Sequence, residues 1–373
     1  MQINRKIIYI SSLTLLTVFI VSISAVLIFH KTNRPSKIHA EVMKSIKISP
    51  TLNPAMIHNM LNGEILSQTQ FNNLLIRRPL AVMIPNSPDA RPQSGVNEAD
   101  VVYEALTEGP VTRFMAIFWS NQSQFKLMPV RSIRAYFLRW LLEYNDIVVM
   151  HTGYAATDNP ATNALAILKD YNVKTLIWDY PWAYDDKCKK TTPVWDCAFT
   201  DSITLWNTAQ SHGWTGAKWN GISEDKQWKF KNSPDLIASE TANTINIPFL
   251  YTNDYSQTYW TYDTANNRYL RFDYNHRPQI DLNNNTQINT KTLVVEQVPF
   301  VQTHDIKDRS EQAVIGTGKT YVFEDGKVIQ GTWRKNDIKA KTRFFDQNGL
   351  EIAFNRGRIW ISVVPDTQTI TFN

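Results

Sequence analysis

The sequence predicts an α+β protein: a mixed α/β N-terminal domain, then a β-rich C-terminal domain, with one transmembrane helix ahead of both. Three observations carry this. Residues 7–29 are apolar and uncharged, short apolar strands alternate with helical stretches over 77–230, and aromatic or β-branched runs parted by Asn/Asp/Gly clusters fill 240–373. Alternation of strand and helix argues a sheet covered by helices, whereas closely repeated short strands argue a β-rich unit.

The apolar run IIYISSLTLLTVFIVSISAVLIF is 23 residues long. At ~1.5 Å per residue it spans the ~30 Å hydrocarbon core of a bilayer. A cleavable signal has a shorter apolar region followed by a small-x-small site. Here Ser22 and Ser24 lie inside the run, and the first cysteine is Cys188, so an uncleaved, non-lipidated anchor is expected. Arg5 and Lys6 precede it, while Lys31, Arg34 and Lys37 follow, so charge alone leaves the orientation open. A short basic start before a long apolar run favours the N-terminus inside.

The 373 residues are 43% hydrophobic and 20% charged, which suits a folded chain and excludes disorder. Four of the five net positive charges come from Arg5, Lys6, Lys31 and Arg34, leaving the body near neutral. No nucleic-acid partner is expected from such a balance.

Residues 37–76 are polar, with breakers at Pro50 and Pro54, and read as a stalk with one short helix at 55–61. The first domain is then expected over 77–230. PLAVMI (79–84) is a buried-strand run, VVYEAL (101–106) suits a strand or a capped helix, and TRFMAIFW (112–119) reads as a strand. A further strand is expected at 125–128. SIRAYFLRWLLEY (132–144) has helical spacing with Ser132 as a candidate N-cap, and DIVVMH (146–151) is again a strand. A linker at 231–234 leads into the second domain, 240–373. Its strands are expected at 259–262, 269–272, 293–298, 319–323, 327–333 and 359–364, with EDG (324–326) and QNG (347–349) as hairpin turns.

Cys188 and Cys197 bracket eight residues in an otherwise cysteine-free chain. They read most simply as a disulfide, with free thiols or half of a metal site as alternatives. The nearest histidine is His212, and no metal is expected.

Polar residues at the strand ends of the first domain are the candidate ligand-binding set: Asn86, Glu104, Glu108, Arg113, Arg131, Arg134 and His151. In open α/β sheets ligands bind beyond the carboxyl ends of strands. The RSIR of 131–134 follows a strand and opens a helix, so two guanidinium groups and free helix N–H groups can face one anion. Glu108 beside several arginines stays ionised, as a clamp rather than an acid catalyst. His151 has the intrinsic pKa of a general base, and equally suits a hydrogen-bonded structural role. Arg–Glu pairs between strand ends also read as structural. GTGK (316–319) lacks the helix of a phosphate-binding loop, no nucleophile system is evident, and no cofactor is expected.

RPLAVMIPNSPDARPQSGVNEADVVYEALTEGPVTRFMAIFW (78–119) and PVRSIRAYFLRWLLEYNDIVVMH (129–151) resemble the YerB-like family of bacterial proteins without established function. TLVVEQVPF, GTGKTYVFEDGKVIQGTWRK and TRFFDQNGLEIAFNRGRIWISVVP continue the likeness to the C-terminal half. The resemblance implies two domains displayed outside the cytoplasmic membrane, which supplies the orientation. Two departures stand out. The anchor is an apolar helix rather than a lipidated cysteine, and TPVWD (192–196) replaces a Pro-His-Asn segment. The order of Arg113, strand, turn, strand and Arg131 is also similar to the LytR-CpsA-Psr phosphotransferases, which implies a second reading as a cell-wall phosphotransferase. That family has an acidic metal ligand just after its first arginine, where this chain has Phe114. The expected partners are therefore the membrane, through the anchor, and an anionic cell-wall or lipid-linked component. Protease added to intact, wall-stripped cells should digest residues 37–373; full protection contradicts the orientation.

Overall fold

Runs that are apolar at most positions, rather than alternating, become strands covered on both faces. Leu80–Pro85 (β1), Val101–Leu106 (β2) and Thr112–Phe118 (β3) are each buried along their whole length. Lys126–Leu127 (β4) pairs with Ala198–Asp201, and Val148–Met150 (β5) lies parallel to β1. β3 runs antiparallel to both β1 and β2. The expected strands are thus present, and VVYEAL resolves as one.

The structure, a computed structural model, describes residues 57–232, 240–250, 254–303, 305, 307 and 309–373. They lie within one compact unit, Leu52–Asn373. The expected anchor at 7–29 and part of the expected linker lie outside the described residues. Among the described residues no helix is long and apolar enough to cross a membrane.

Strands from both sides of the expected boundary share one ten-stranded sheet. Its order is Arg343–Asp346, Lys327–Lys335, Gly316–Glu324, Thr292–Val298, Ile359–Pro365, β2, β3, β1 and β5, with Glu240–Thr241 also on Lys327–Lys335. The seam is the parallel pairing of β2 with Ile359–Pro365, which places Glu104 opposite Ser362.

Alternation along the strands sends side chains to two different cores. Ala81, Met83, Tyr103, Met115 and Ile361 pack with Tyr136, Phe137 and Trp140 of helix Ala135–Leu141. Leu80, Val82, Phe114 and Trp360 face the other way, against Ile245, Ile247, Trp260 and Tyr269. Those last residues belong to a five-stranded antiparallel sheet built from Thr244–Pro248, Gln257–Asp263, Arg268–Phe272, Asn289–Thr290 and Thr371–Phe372. Helices Ala135–Leu141 and Ala164–Asp170 therefore cover one face of the large sheet, and the small sheet, with helix Ser202–Ser211 in the same core, covers the other.

Local signals explain where the structure departs from expectation. No helix forms at 57–61, because Asn59 turns the chain, its Oδ1 accepting from the Leu61 N–H, and His58 bridges Ile65. The helix is instead Gln68–Leu74, with Ser67 and Gln70 forming a reciprocal capping box. Leu61 and Leu74 are buried in the core, so residues 57–76 are part of the folded body. The next helix starts at Ala135 rather than Ser132, with Arg134 in the N-cap position and no side-chain cap. The EDG hairpin forms as expected: Asp325 and Gly326 have φ of 56° and 70°, the left-handed pair of a type I′ turn. A Cβ on Gly326 would lie 2.7 Å from the Tyr262 ring. Cys188 and Cys197 are disulfide-bonded.

Candidate functional site

The seven expected site residues divide between the two faces of the large sheet. Glu104 and Asn86 belong to the face under the small sheet. Glu104 is fully buried and takes a two-pronged ion pair from Arg271, with both N–O distances 2.8 Å. Its oxygens also accept from Thr112 Oγ1 at 2.7 Å, Trp360 Nε1 at 3.1 Å and Asn86 Nδ2 at 3.3 Å. Asn86 Oδ1 in turn accepts from Arg91, Gln93 and Gln279. Burial pushes the Arg271 pKa down, while Glu104 opposes that fall. Both carboxylate oxygens of Glu104 have several partners, so Glu104 is held in a structural network, at whose edge Arg91 Nη1 is buried without an acceptor.

Glu108, Arg113, Arg131 and Arg134 converge on the opposite face. Arg113 stands at the end of β1, opposite Pro85, and its guanidinium donates to the Ser132 carbonyl. Arg134 grips Glu108 with both prongs, Nη2 to Oε2 being 2.7 Å. Arg131 Nε lies 3.3 Å from Asp196 Oδ1, close enough for an ion pair but not aligned as a hydrogen bond. Arg113 is 5% exposed, and its pKa falls to about 9 through burial and the neighbouring Arg134 and Arg131. Burial alone would raise the Glu108 carboxyl, but Arg134 and Arg113 hold it below its ordinary range. Burial lifts the Asp196 carboxyl against the pull of Arg131 and Arg113. The Nε atoms of Arg113 and Arg131 are buried without a hydrogen-bond acceptor. Arg131 Nε has the Asp196 carboxylate within ion-pair distance, whereas Arg113 Nε has no acceptor, and a guanidinium donor left unpaired at such depth is costly.

His151 sits beside this cluster but is fully buried. Nδ1 is 2.8 Å from the Gly153 carbonyl and Nε2 is 2.9 Å from Thr175 Oγ1. Its Nδ1–H therefore donates to Gly153 and Nε2 accepts from Thr175, which fits a neutral ring held in place. Burial, helped by Arg134, lowers its pKa to about 4.

Sequence reasoning missed Arg271 and Asp196. Arg271 occupies an inward position of the alternating strand RYLRF, and a charge in that register is a readable sign of a buried partner. Asp196 has no local sign beyond its place next to Cys197. Among the described residues no group of three or more His, Cys, Asp or Glu is placed to hold a metal ion. Phe114, at the position after Arg113, packs edge-on against Trp360.

The family model "Protein of unknown function (DUF3048) N-terminal domain" matches residues 67–214, and the corresponding C-terminal domain model matches residues 245–361. The chain belongs to the DUF3048 family. It is 28% identical over 296 residues to the Bacillus subtilis (strain 168) protein described as "Putative lipoprotein YerB", covering 78% of this chain and 82% of that one. The crystal structure of the Bacillus subtilis YerB protein has the same fold, with a TM-score of 0.70 at 24% identity over 85% of this chain and 99% of that one. In this DUF3048 protein the ion pair of Glu104 with Arg271 joins the two family segments, since one residue lies in each.

The neutral His151 makes a pH prediction. Its folded pKa is depressed, so the stabilisation is present above ~6.5, the unfolded value, and is lost as pH falls toward about 4. The shift corresponds to roughly 3 kcal/mol. In urea unfolding, the difference between wild type and His151→Gln should shrink by about that amount between pH 7.5 and 4. A difference independent of pH contradicts the neutral assignment.

Proposed function

We propose that the protein is a membrane-anchored envelope protein whose body lies outside the cytoplasmic membrane and binds an anionic cell-wall or lipid-linked component through Arg113, Arg131 and Arg134. One observation carries this reading: three guanidinium groups meet at one strand end, where Arg113 Nε is buried without an acceptor and Arg131 Nε has only a misaligned ion pair with Asp196. Glu108 and Asp196 offset two of the three positive charges and hold the arginines in place. Planar guanidinium forks match phosphate and carboxylate oxygens. The likeness to a protein described as a lipoprotein supports the location, as does the disulfide, a feature of oxidising compartments.

The chain leading to Asp196 carries exposed rings, of which Trp195 adjoins Asp196 and Trp178 packs on Tyr154, itself against His151. Trp178, Tyr180, Tyr184 and Trp195 are 57%, 68%, 47% and 55% exposed. Exposed rings of this kind offer stacking faces to the sugar units of a wall polymer, while their polar tips stay in water.

The test uses the full chain in neutral detergent and isolated wall sacculi, intact or stripped of anionic polymers by acid. The wild type should be retained on intact sacculi and at least tenfold less on stripped ones. Arg131→Gln leaves the buried Asp196 carboxylate unpartnered, at a cost of about 1–3 kcal/mol. Adding Asp196→Asn should recover that stability without recovering retention. Full retention by the stable double variant, or none by the wild type, overturns the proposal.

A further inference from the structure

A second cluster of cations lies at the opposite end of the same strands. Arg113 stands level with the last residue of β1, whereas Arg78 precedes its first. Six strand residues separate the two ends, or about 20 Å. Beside Arg78 is a cavity of about 430 Å³, lined also by Lys174, Lys218, Lys226 and Lys339. That volume is in the range of small-ligand sites, ~300–1,000 Å³.

The lining carries five cations and a single carboxylate, Asp146. Asp146 is already engaged twice, by Arg78 Nη1 at 2.9 Å and Lys174 Nζ at 2.8 Å. Lys226 Nζ has a neutral partner, Asn145 Oδ1, at 3.0 Å. Lys339 lies over the Tyr171 ring at 5.5 Å. Among the described residues, Lys218, Lys226 and Lys339 have no carboxylate partner. Three lysines without a carboxylate partner in the lining of one concavity give it a positive potential.

The site is built rather than incidental. The buried Arg78 guanidinium holds its walls together, donating to the Asp146 carbonyl at 3.0 Å, the Thr215 carbonyl at 3.0 Å and the Lys218 carbonyl at 2.6 Å. Trp219 Nε1 donates to the Asn145 carbonyl at 2.7 Å, and Asn145 Nδ2 to the Gly221 carbonyl at 3.0 Å. Asn145 and Asp146 have φ of 53° and 66°, two successive non-glycine residues in the left-handed region. Such conformations cost free energy, persist where the surroundings hold them, and cluster at ligand sites. Tyr171 and Leu142 add an apolar side to the lining, suited to a carbon skeleton.

We propose that this cavity binds a phosphorylated small molecule, a sugar or polyol phosphate, with Lys218, Lys226 and Lys339 meeting the phosphate. The lysines suit a compact, multiply charged group reached by flexible ammonium arms. The site is separate from the arginine cluster, so it stands or falls independently of the wall-binding proposal.

Glucose 1-phosphate is the probe, titrated calorimetrically into the full chain in neutral detergent at low ionic strength, with glucose as the uncharged control. Saturable, salt-sensitive binding is expected for the phosphate and none for glucose. The double variant Lys218→Gln/Lys226→Gln should bind at least tenfold more weakly with an unchanged Tm, while Lys187→Gln binds as the wild type does. Absence of saturable binding, or affinity unaltered in the double variant, overturns the assignment. Capture only by vesicles containing phosphatidylglycerol, with no competition from glucose 1-phosphate, also overturns it.

Discussion

The fold depends on a charge pair sealed between two sheets. Glu104 and Arg271 are 167 positions apart in the chain, and both are fully buried. The guanidinium carbon lies 4.8 Å from the Trp360 ring and 5.3 Å from both Phe114 and Trp260. Gln279 and Thr258 take further N–H donors of the arginine. A buried pair of this kind adds little over an apolar packing of equal volume, because desolvation offsets the attraction. Breaking it is a different matter, since one uncompensated charge then remains in the core. The pair therefore acts as a registry rule: the small sheet packs on the large one only where Arg271 meets Glu104.

That rule reaches the candidate binding site through one residue step. Thr112 donates to Glu104 on one face of the sheet, and the next residue, Arg113, projects toward Glu108 and Arg134 on the other. Fixing Thr112 fixes the start of β3 and hence the direction of Arg113. A second network ties the helical face to the C-terminal strands. Glu143 accepts from Lys335 at 2.7 Å and from Thr342 at 2.6 Å, with Lys341 Nζ at 3.5 Å. Lys341 lies 3.5 Å from the Trp228 ring centre and 3.8 Å from that of Tyr144. Burial brings its pKa to about 7, against the pull of Glu143. The two family segments are thus linked by ions on both faces of the sheet that they share.

Much of this was legible because its causes are local. Continuous apolar runs marked β1 to β3, the EDG turn marked its hairpin, and a lone cysteine pair marked the disulfide. The convergence of Arg113, Arg131 and Arg134 with Glu108 was also readable, since their spacing brings three strand ends to one place. What could not be read depends on pairing across the chain. Nothing near Glu104 says that it faces away from Arg113; that follows from the register of β2, β3 and Ile359–Pro365. Ser132 looked like a helix cap, but its carbonyl is taken by Arg113 and the helix begins three residues later. The cations of the second cavity are scattered from Arg78 to Lys339, so no single stretch of sequence gathers them.

The most direct test of the registry rule is a double-mutant cycle on the pair, measured by urea unfolding at pH 7. Glu104→Gln and Arg271→Met should each lose about 3–5 kcal/mol, because each strands its partner in the core. The double variant should be more stable than the sum of the two losses implies, by at least ~2 kcal/mol, in a single transition reported alike by both segments. Losses that simply add, or separate transitions for residues 77–230 and 240–373, would contradict the account.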